Sequence, residues 1–347
     1  MPDGTDTFES AEPATSLRDS PASYGWSDAP AIWPGAAADE IAWLESRLGR
    51  KHARQRLGIE ASIESSRLHR GIRGAFSLGR LIETMVPVAV RASGLLSRGR
   101  ANTARIAVLR NQVRVAGLQP AFEGCTLLQV SDLHADISGR AMLALPGVLA
   151  GLQYDACVIT GDFRGLGHGP CGSAMAAVRE ALSGIPAPVF GVTGNHDSSF
   201  MIRGLEEMGI RMLMNESVCI TRAGSRIWLA GVDDPHRYRT DNMRKALAGV
   251  PDGEVTVLLS HTPERHTHAA DAGVSLMLCG HTHGGQICLP GRVPLLLRSK
   301  HPRRMAAGPW QTEGMAGYTS RGVGTSALEA RFNCPPEVTL HTLVAAR

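Results

Sequence analysis

The sequence predicts an α/β fold in which strand ends present polar side chains to a common face, and three observations predict it. Five short apolar runs each end in residues able to bind metal, and stretches of helical apolar spacing separate them. The third is size: 347 residues, 43% of them hydrophobic, suffice for one large core or two small ones.

The rhythm begins after Gln119-Pro120. Residues 126–131 (TLLQVS) end in Asp132-Leu133-His134, and 156–160 (ACVIT) end in Gly161-Asp162. Residues 188–193 (PVFGVT) lead into Gly194-Asn195-His196-Asp197, 255–260 into His261, and 274–279 into Gly280-His281-Thr282-His283. Helical spacing fits 140–152, 172–182, 199–208, 242–247 and 263–270, so ligands are expected outside the strand carboxyl ends. Glycines before Asp162, Asn195 and His281 suit sharp exits from a strand.

Two aspartates, one asparagine and four histidines make a hard-to-borderline donor set, suited to Mn, Fe, Zn, Co or Ni rather than calcium. A strand period of two places Asp132 with His134, and His281 with His283, on one face of an extended segment.

Charge is polarised along the chain. Residues 1–50 carry 3 Lys/Arg and 9 Asp/Glu, residues 51–114 carry 13 and 3, and the remainder carries 20 of each. A neutral body excludes a nucleic-acid-coating protein, so no nucleic-acid partner is expected. Residues 1–38 mix Pro, Ala, Ser and Gly with acids and are expected to form a disordered acidic tail. In that tail Trp26 and Trp33 are either partner-docking points or local packing. Residues 39–114 form a basic helical extension, with Ile41, Trp43, Leu44 and Leu48 at helical spacing, then Met85 and Val86 among Arg67, Arg70, Arg73, Arg80 and Arg91. That stretch either lies on an anionic membrane surface or packs on the body with a solvated basic face. The most apolar segment, 85–96, contains Pro87 and Arg91, so no transmembrane span is expected, and the acidic start shows no secretory signal. Seven scattered cysteines without a C-x-x-C pair read as reduced thiols of a cytoplasmic chain, with a peripheral position on a membrane surface if the basic arm binds there.

Taken together, Asp132-x-His134, Gly161-Asp162, Gly194-Asn195-His196-Asp197, His261 and Gly280-His281-x-His283 resemble the signature of the calcineurin-like metallophosphoesterases. Residues 280–286 (GHTHGGQ) and 320–326 (SRGVGTS), followed by Arg331-Phe332-Asn333 and Pro335-Pro336-Glu337, resemble a bacterial membrane-associated branch related to UDP-2,3-diacylglucosamine pyrophosphatase-like enzymes. The resemblance covers 115–347 and implies an αββα sandwich of two mixed sheets flanked by helices. It implies one metal held by Asp132, His134, Asp162 and His283, and a second by Asp162, Asn195, His261 and His281, with a metal-bridging hydroxide attacking phosphorus in line. His196 would protonate or stabilise the leaving oxygen, and Asp197 would orient His196 or its loop.

One departure stands out: the family commonly reads Gly-Asp-x-x-Asp, whereas Phe163, Arg164 and Gly165 follow Asp162 here. The support of the site is therefore expected to be rewired, with Arg164 facing substrate phosphate. Arg298, Lys300 and Arg303 lie in a basic loop beside Leu295, Leu296 and Leu297, read either as a solvated face or as contacts for an anionic amphiphile. The substrate expected is a phosphoester or pyrophosphate of a small or lipid-linked molecule. A soluble nucleotide phosphodiester and a non-catalytic metal-binding scaffold are the alternatives.

Overall fold

Alternate residues of the central strands face opposite ways, and that alternation builds the layers. A computed structural model describes residues 9–10, 38–69, 78–186, 188–295, 297 and 302–346. Six strands form one sheet in the order β2 (Ala107–Val115), β15 (Glu337–Ala345), β3 (Thr126–Val130), β4 (Ala156–Ile159), β5 (Val189–Gly191) and β6 (Ile210–Met212). Seven form a second, in the order β1 (Glu9–Ser10), β7 (Glu216–Arg222), β8 (Ser225–Gly231), β9 (Thr256–Leu259), β10 (Leu276–Cys279), β14 (Met315–Thr319) and β13 (Gly308–Thr312). Both sheets are mixed: β3 to β6 run parallel with β15 antiparallel to β3, and β8, β9, β10 and β14 run parallel with antiparallel edges.

Leu127, Ala156 and Val158 point between the sheets to meet Val257, Leu259, Leu276 and Leu278. Their neighbours Leu128, Val130, Cys157 and Ile159 point outward beneath helices α5 (Gly139–Leu149), α6 (Gly172–Leu182) and α7 (Met201–Glu207). On the far side Leu258, Met277 and Cys279 pack with α8 (Met243–Ala246) and α9 (His266–Asp271). This is the expected four-layer sandwich. Of the predicted helices, 263–270 is split into a 3-10 turn, Pro263–Arg265, and α9.

The first two helices of the N-terminal extension pack on the body, one of the two arrangements left open for this stretch, but not with a wholly solvated basic face. Helices α1 (Ala38–Leu48) and α2 (Arg50–His69) insert Leu44, Leu48, Ala53 and Leu57 into the same core as α5, α6 and α7. Arg47 pairs with Glu206 and Glu216 and donates to the Met212 carbonyl at 2.7 Å. Arg56 is wholly buried: it pairs with Asp233 at 2.9 Å, donates to the Asp197 carbonyl at 2.9 Å, and lies 3.4 Å over the Tyr238 ring. Part of the basic segment 51–114 is thus interior structure, because Arg56 meets a buried carboxylate of the body. Helix α3 (Leu78–Ala92) brings Val86 and Pro87 to the cleft described below, and α4 (Leu96–Thr103) docks through Gly99 and Asn102 on Arg331. Apart from Glu9 and Ser10, which pair with Ile220 and Thr221, the acidic tail with Trp26 and Trp33 lies outside the described residues, as do Arg298 and Lys300.

Candidate metal centre

Both sheets deliver side chains to one seam. Asp132, Asp162 and Asn195 follow β3, β4 and β5 of one sheet, and His261, His281 and His283 follow β9 and β10 of the other. Asp132, His134, Asp162, His281 and His283 all have φ between 43° and 74°, so five of the seven candidate ligands sit in the left-handed region. Non-glycine residues rarely adopt it, and each costs about 1–3 kcal/mol unless its surroundings enforce it. The same-face argument from extended strand geometry is therefore corrected: tight turns, not strand alternation, aim these side chains. Backbone hydrogen bonds hold the turns, with His134 N–H donating to Asp162 O at 3.0 Å, Ala135 N–H to Phe163 O at 2.9 Å and Gly324 N–H to Asp132 O at 2.7 Å. Gly280 is required by proximity, since a Cβ there would lie 2.0 Å from Ser131 Oγ and 2.3 Å from Asp132 Oδ2.

Six of the seven residues come together as two clusters, and Asn195 stands beside the second. Asp132, His134 and His283 form one, and Asp162, His261 and His281 the other, each with ligand atoms within 4.8 Å of one another. Asp162 Oδ2 lies between them, 3.5 Å from His134 Nε2 and 3.2 Å from His261 Nε2. Asn195 Oδ1 stands 3.0 Å from His261 Nε2. His261 Nδ1–H donates to the Thr160 carbonyl at 2.8 Å, which turns Nε2 toward the seam, as a ligand imidazole needs.

Electrostatics fit a cation. Burial, with neighbouring imidazoles and Arg331 adding to it, pushes His134 down to about 3 and His283 well below the usual histidine range. Burial and His261 do the same to His281, so these rings are neutral and keep open lone pairs. Burial opposes charge on His261 too, but Asp162 outweighs it and raises that ring to about 10. Burial, reinforced by the Asp162 charge, raises Asp132 to about 6 although His261 opposes it. His281 Nε2 is buried with no hydrogen-bond partner among the described residues. Such an atom costs about 1–3 kcal/mol, which binding a divalent cation would offset. The residues present thus suit borderline divalent ions.

Beside the clusters lies a cleft of about 210 Å³ with a mixed polar and apolar lining. Asp162, Asn195, His196, His236, His281 and His283 line it together with the apolar Val86, Pro87, Ile287, Leu295, Ala327 and Leu328. His196 stands edge-on to His134, 4.9 Å between ring centroids, and its Nδ1–H donates to the Gly165 carbonyl, leaving Nε2 without a partner among the described residues. Here the rewired support becomes visible. Gly165 occupies the place where the resemblance led us to look for a carboxylate; a Cβ there would lie 2.3 Å from Ile137, and Asp136 instead accepts the Gly165 and Leu166 N–H groups.

Two sequence expectations, for Arg164 and Arg303, are corrected, and of the two alternatives for Asp197 the geometry fits the loop. Asp197 does not touch the His196 ring; its carboxylate accepts N–H from Asp162 and Gly194 at 2.8 Å and from Arg164 at 3.2 Å, so it clamps the loop. Arg164 faces no substrate cleft, because it is buried with Nε on the His196 carbonyl and Nη1 on Gly169 O and Cys171 Sγ. Arg303 is exposed in the 3-10 turn Arg303–Met305 and does not line the cleft. Other supports escaped sequence reasoning. Arg331, fully buried, donates to the carbonyls of Arg321, Gly322 and Gly324 behind His283, and Glu60 accepts from Ser198 Oγ at 2.7 Å and Ser199 N at 2.8 Å. The four-residue Arg56/Glu60 spacing was the available signal for an intrahelical pair, but nothing in it shows that the pair is buried.

A two-sheet sandwich whose strand ends converge on two histidine and carboxylate clusters defines a metal-dependent hydrolase class. The sequence model of the calcineurin-like phosphoesterase family matches residues 125–285. Phosphodiesterase YaeI of Escherichia coli (strain K12) is 30% identical over 230 residues, 63% of this chain and 82% of that protein. An uncharacterized metallophosphoesterase, YkuE of Bacillus subtilis (strain 168), is 30% identical over 237 residues, covering 64% and 80%. The "transmembrane protein with metallophosphoesterase domain" of Bos taurus is 29% identical over 292 residues, covering 76% and 62%. The chain belongs to the calcineurin-like metallophosphoesterases and is a metal-dependent phosphoesterase.

Proposed function

We propose that the protein hydrolyses a phosphodiester or pyrophosphate whose leaving or retained group carries an apolar chain, using two divalent ions that share Asp162. The observation that carries the substrate reading is the mixed lining of the cleft, in which His196 and the candidate ligands share one space with Val86, Pro87, Ile287, Leu295 and Leu328. Asp132, His134 and His283 would hold one ion and Asn195, His261 and His281 the other. Bound there, such ions activate water and neutralise phosphoryl charge. His196 Nε2, fixed by the Gly165 carbonyl at its other nitrogen, delivers a proton to the leaving oxygen as the P–O ester bond breaks. Asp197 and Arg164 hold that loop in place.

An apolar lining makes KM depend on chain length. In a series of alkyl phosphodiesters, KM is expected to fall by up to about fourfold per CH₂ that enters the cleft, since each fully buried CH₂ contributes about 0.8 kcal/mol. Equal KM across the series, or preference for a soluble nucleotide diester, would reject the amphiphile.

The same reading assigns a place for the substrate to come from. Met85, Val88 and Leu95 are exposed on and after α3, as are Leu289 and Val293 on the β11 (Cys288–Leu289) and β12 (Val293–Pro294) hairpin and Leu295 just after it. Arg91, Arg98 and Arg292 are exposed among them. This is the pattern of a surface that rests on anionic lipid, and it narrows the membrane-facing part of 51–114 to α3 and its flank. No helix among the described residues is long and apolar enough to cross a membrane. The protein is expected to sediment with anionic liposomes at low salt and to be released at about 1 M salt, where the Debye length falls to about 3 Å. Equal sedimentation with neutral liposomes would contradict the electrostatic part.

A further inference from the structure

Each candidate ion cluster has an imidazole beside it that belongs to neither cluster. His196 stands against His134, and His236 lies against His281 with ring centroids 4.4 Å apart and planes at 49°. Both line the cleft. His236 is held as His196 is, by an acceptor at Nδ1: its Nδ1–H donates to Glu264 Oε1 at 2.8 Å. Nε2 is thereby turned away from Glu264, has no partner among the described residues, and belongs to a side chain 32% exposed.

The turn that carries His236 is built for placement. Asp234 is buried and accepts three successive N–H groups, from His236 at 3.1 Å, Arg237 at 2.7 Å and Tyr238 at 2.8 Å. Its neighbour Asp233 is tied to Arg56, His52, Thr193 and Thr240. A histidine that only filled space would need neither a carboxylate partner nor an open Nε2.

We propose that His236, positioned by Glu264, is a substrate-binding residue whose open Nε2 contacts the phosphoryl group in the cleft beside His281. This rests on the phosphoester reading above, and deepens it by giving the phosphoryl group a second protein contact that is not an ion ligand.

The test uses the full-length, metal-loaded chain with inorganic phosphate as the binding probe and bis(p-nitrophenyl) phosphate as substrate. His236→Ala is expected to keep the wild-type metal content, to weaken phosphate binding measured by calorimetry by about tenfold, and to raise KM by a similar factor. kcat should change less than about threefold, since the contact serves ground state and transition state alike. His236→Gln, which can place an N–H near the Nε2 position, should recover most of the loss. Unchanged phosphate affinity and KM in His236→Ala would overturn the assignment, as would loss of metal, which would make His236 a support of the second cluster. A wild-type protein that binds phosphate but does not cleave the diester would defeat the hydrolase reading while leaving the His236 comparison legible by calorimetry. Wild-type protein that binds no phosphate would overturn the contact itself.

Discussion

Replacing Asp162 with asparagine is expected to empty the centre of metal and to slow phosphoester hydrolysis by about a thousandfold or more, the scale of losing preorganised charge stabilisation. Asp162 Oδ2 is the atom that lies near both clusters, so its charge is the term both ions would share. Burial alone would raise its pKa, yet the His261 and His196 neighbours outweigh burial and hold the carboxyl well below the usual range. It is thus ionised in the folded chain, and asparagine removes that charge at nearly constant shape. Oδ1 accepts the His196 N–H at 2.8 Å, a bond asparagine can keep, so the fold and the His196 loop should persist. His196→Ala is the matched control: metal content is expected to stay at the wild-type level while kcat falls by about 10²–10⁴. Elemental analysis of the purified variants reads both. Metal retained in Asp162→Asn, or lost in His196→Ala, would reverse the assigned roles.

Arg56→Met is expected to cost about 3–5 kcal/mol of stability, the range for breaking a buried ion pair and leaving its partner charged. Asp233 is fully buried and loses its main counter-charge, while the Asp197 carbonyl and Glu60 lose a donor. The pH dependence follows with a defined sign. Burial pushes Asp233 up, but Arg56 and His52 together pull it well below the usual carboxylate range. A depressed folded pKa gives stability that is complete above the unfolded value of about 4 and drains as pH falls through the folded value. Without Arg56 the drain starts at higher pH, so the acid-unfolding midpoint of the variant should rise. Urea denaturation at neutral pH and an acid titration read the two effects. A change below about 1 kcal/mol would mean that α2 rests on the body without being part of it. Arg56 and Glu60 also grip residues 197–199, so kcat of the folded variant is expected to fall as well.

Much of this was legible in the chain because it is local. Short apolar runs at 126–130, 156–159, 256–259 and 276–279 mark buried strands, and the residues following each run are the ones that converge. The charge count was less transparent. The excess of thirteen Lys/Arg over three Asp/Glu in 51–114 looks like a solvated face, yet Arg56 is one of the largest fully buried side chains. A cation announces its sign in sequence and not its partner, and Asp233 stands 177 positions away.

The sequence by itself determined the α/β class, the seven donor residues and the family they resemble, because apolar runs and residue chemistry are properties of short segments. Only the tertiary structure decided how those donors are aimed, through left-handed turns at five of them, and which supports hold them. It also set the interior role of Arg56, turned Arg164 and Asp197 into clamps of the His196 loop, and put His236 on the cleft wall. Each of those depends on a contact between segments far apart in the chain, where proximity is fixed by packing rather than by spacing.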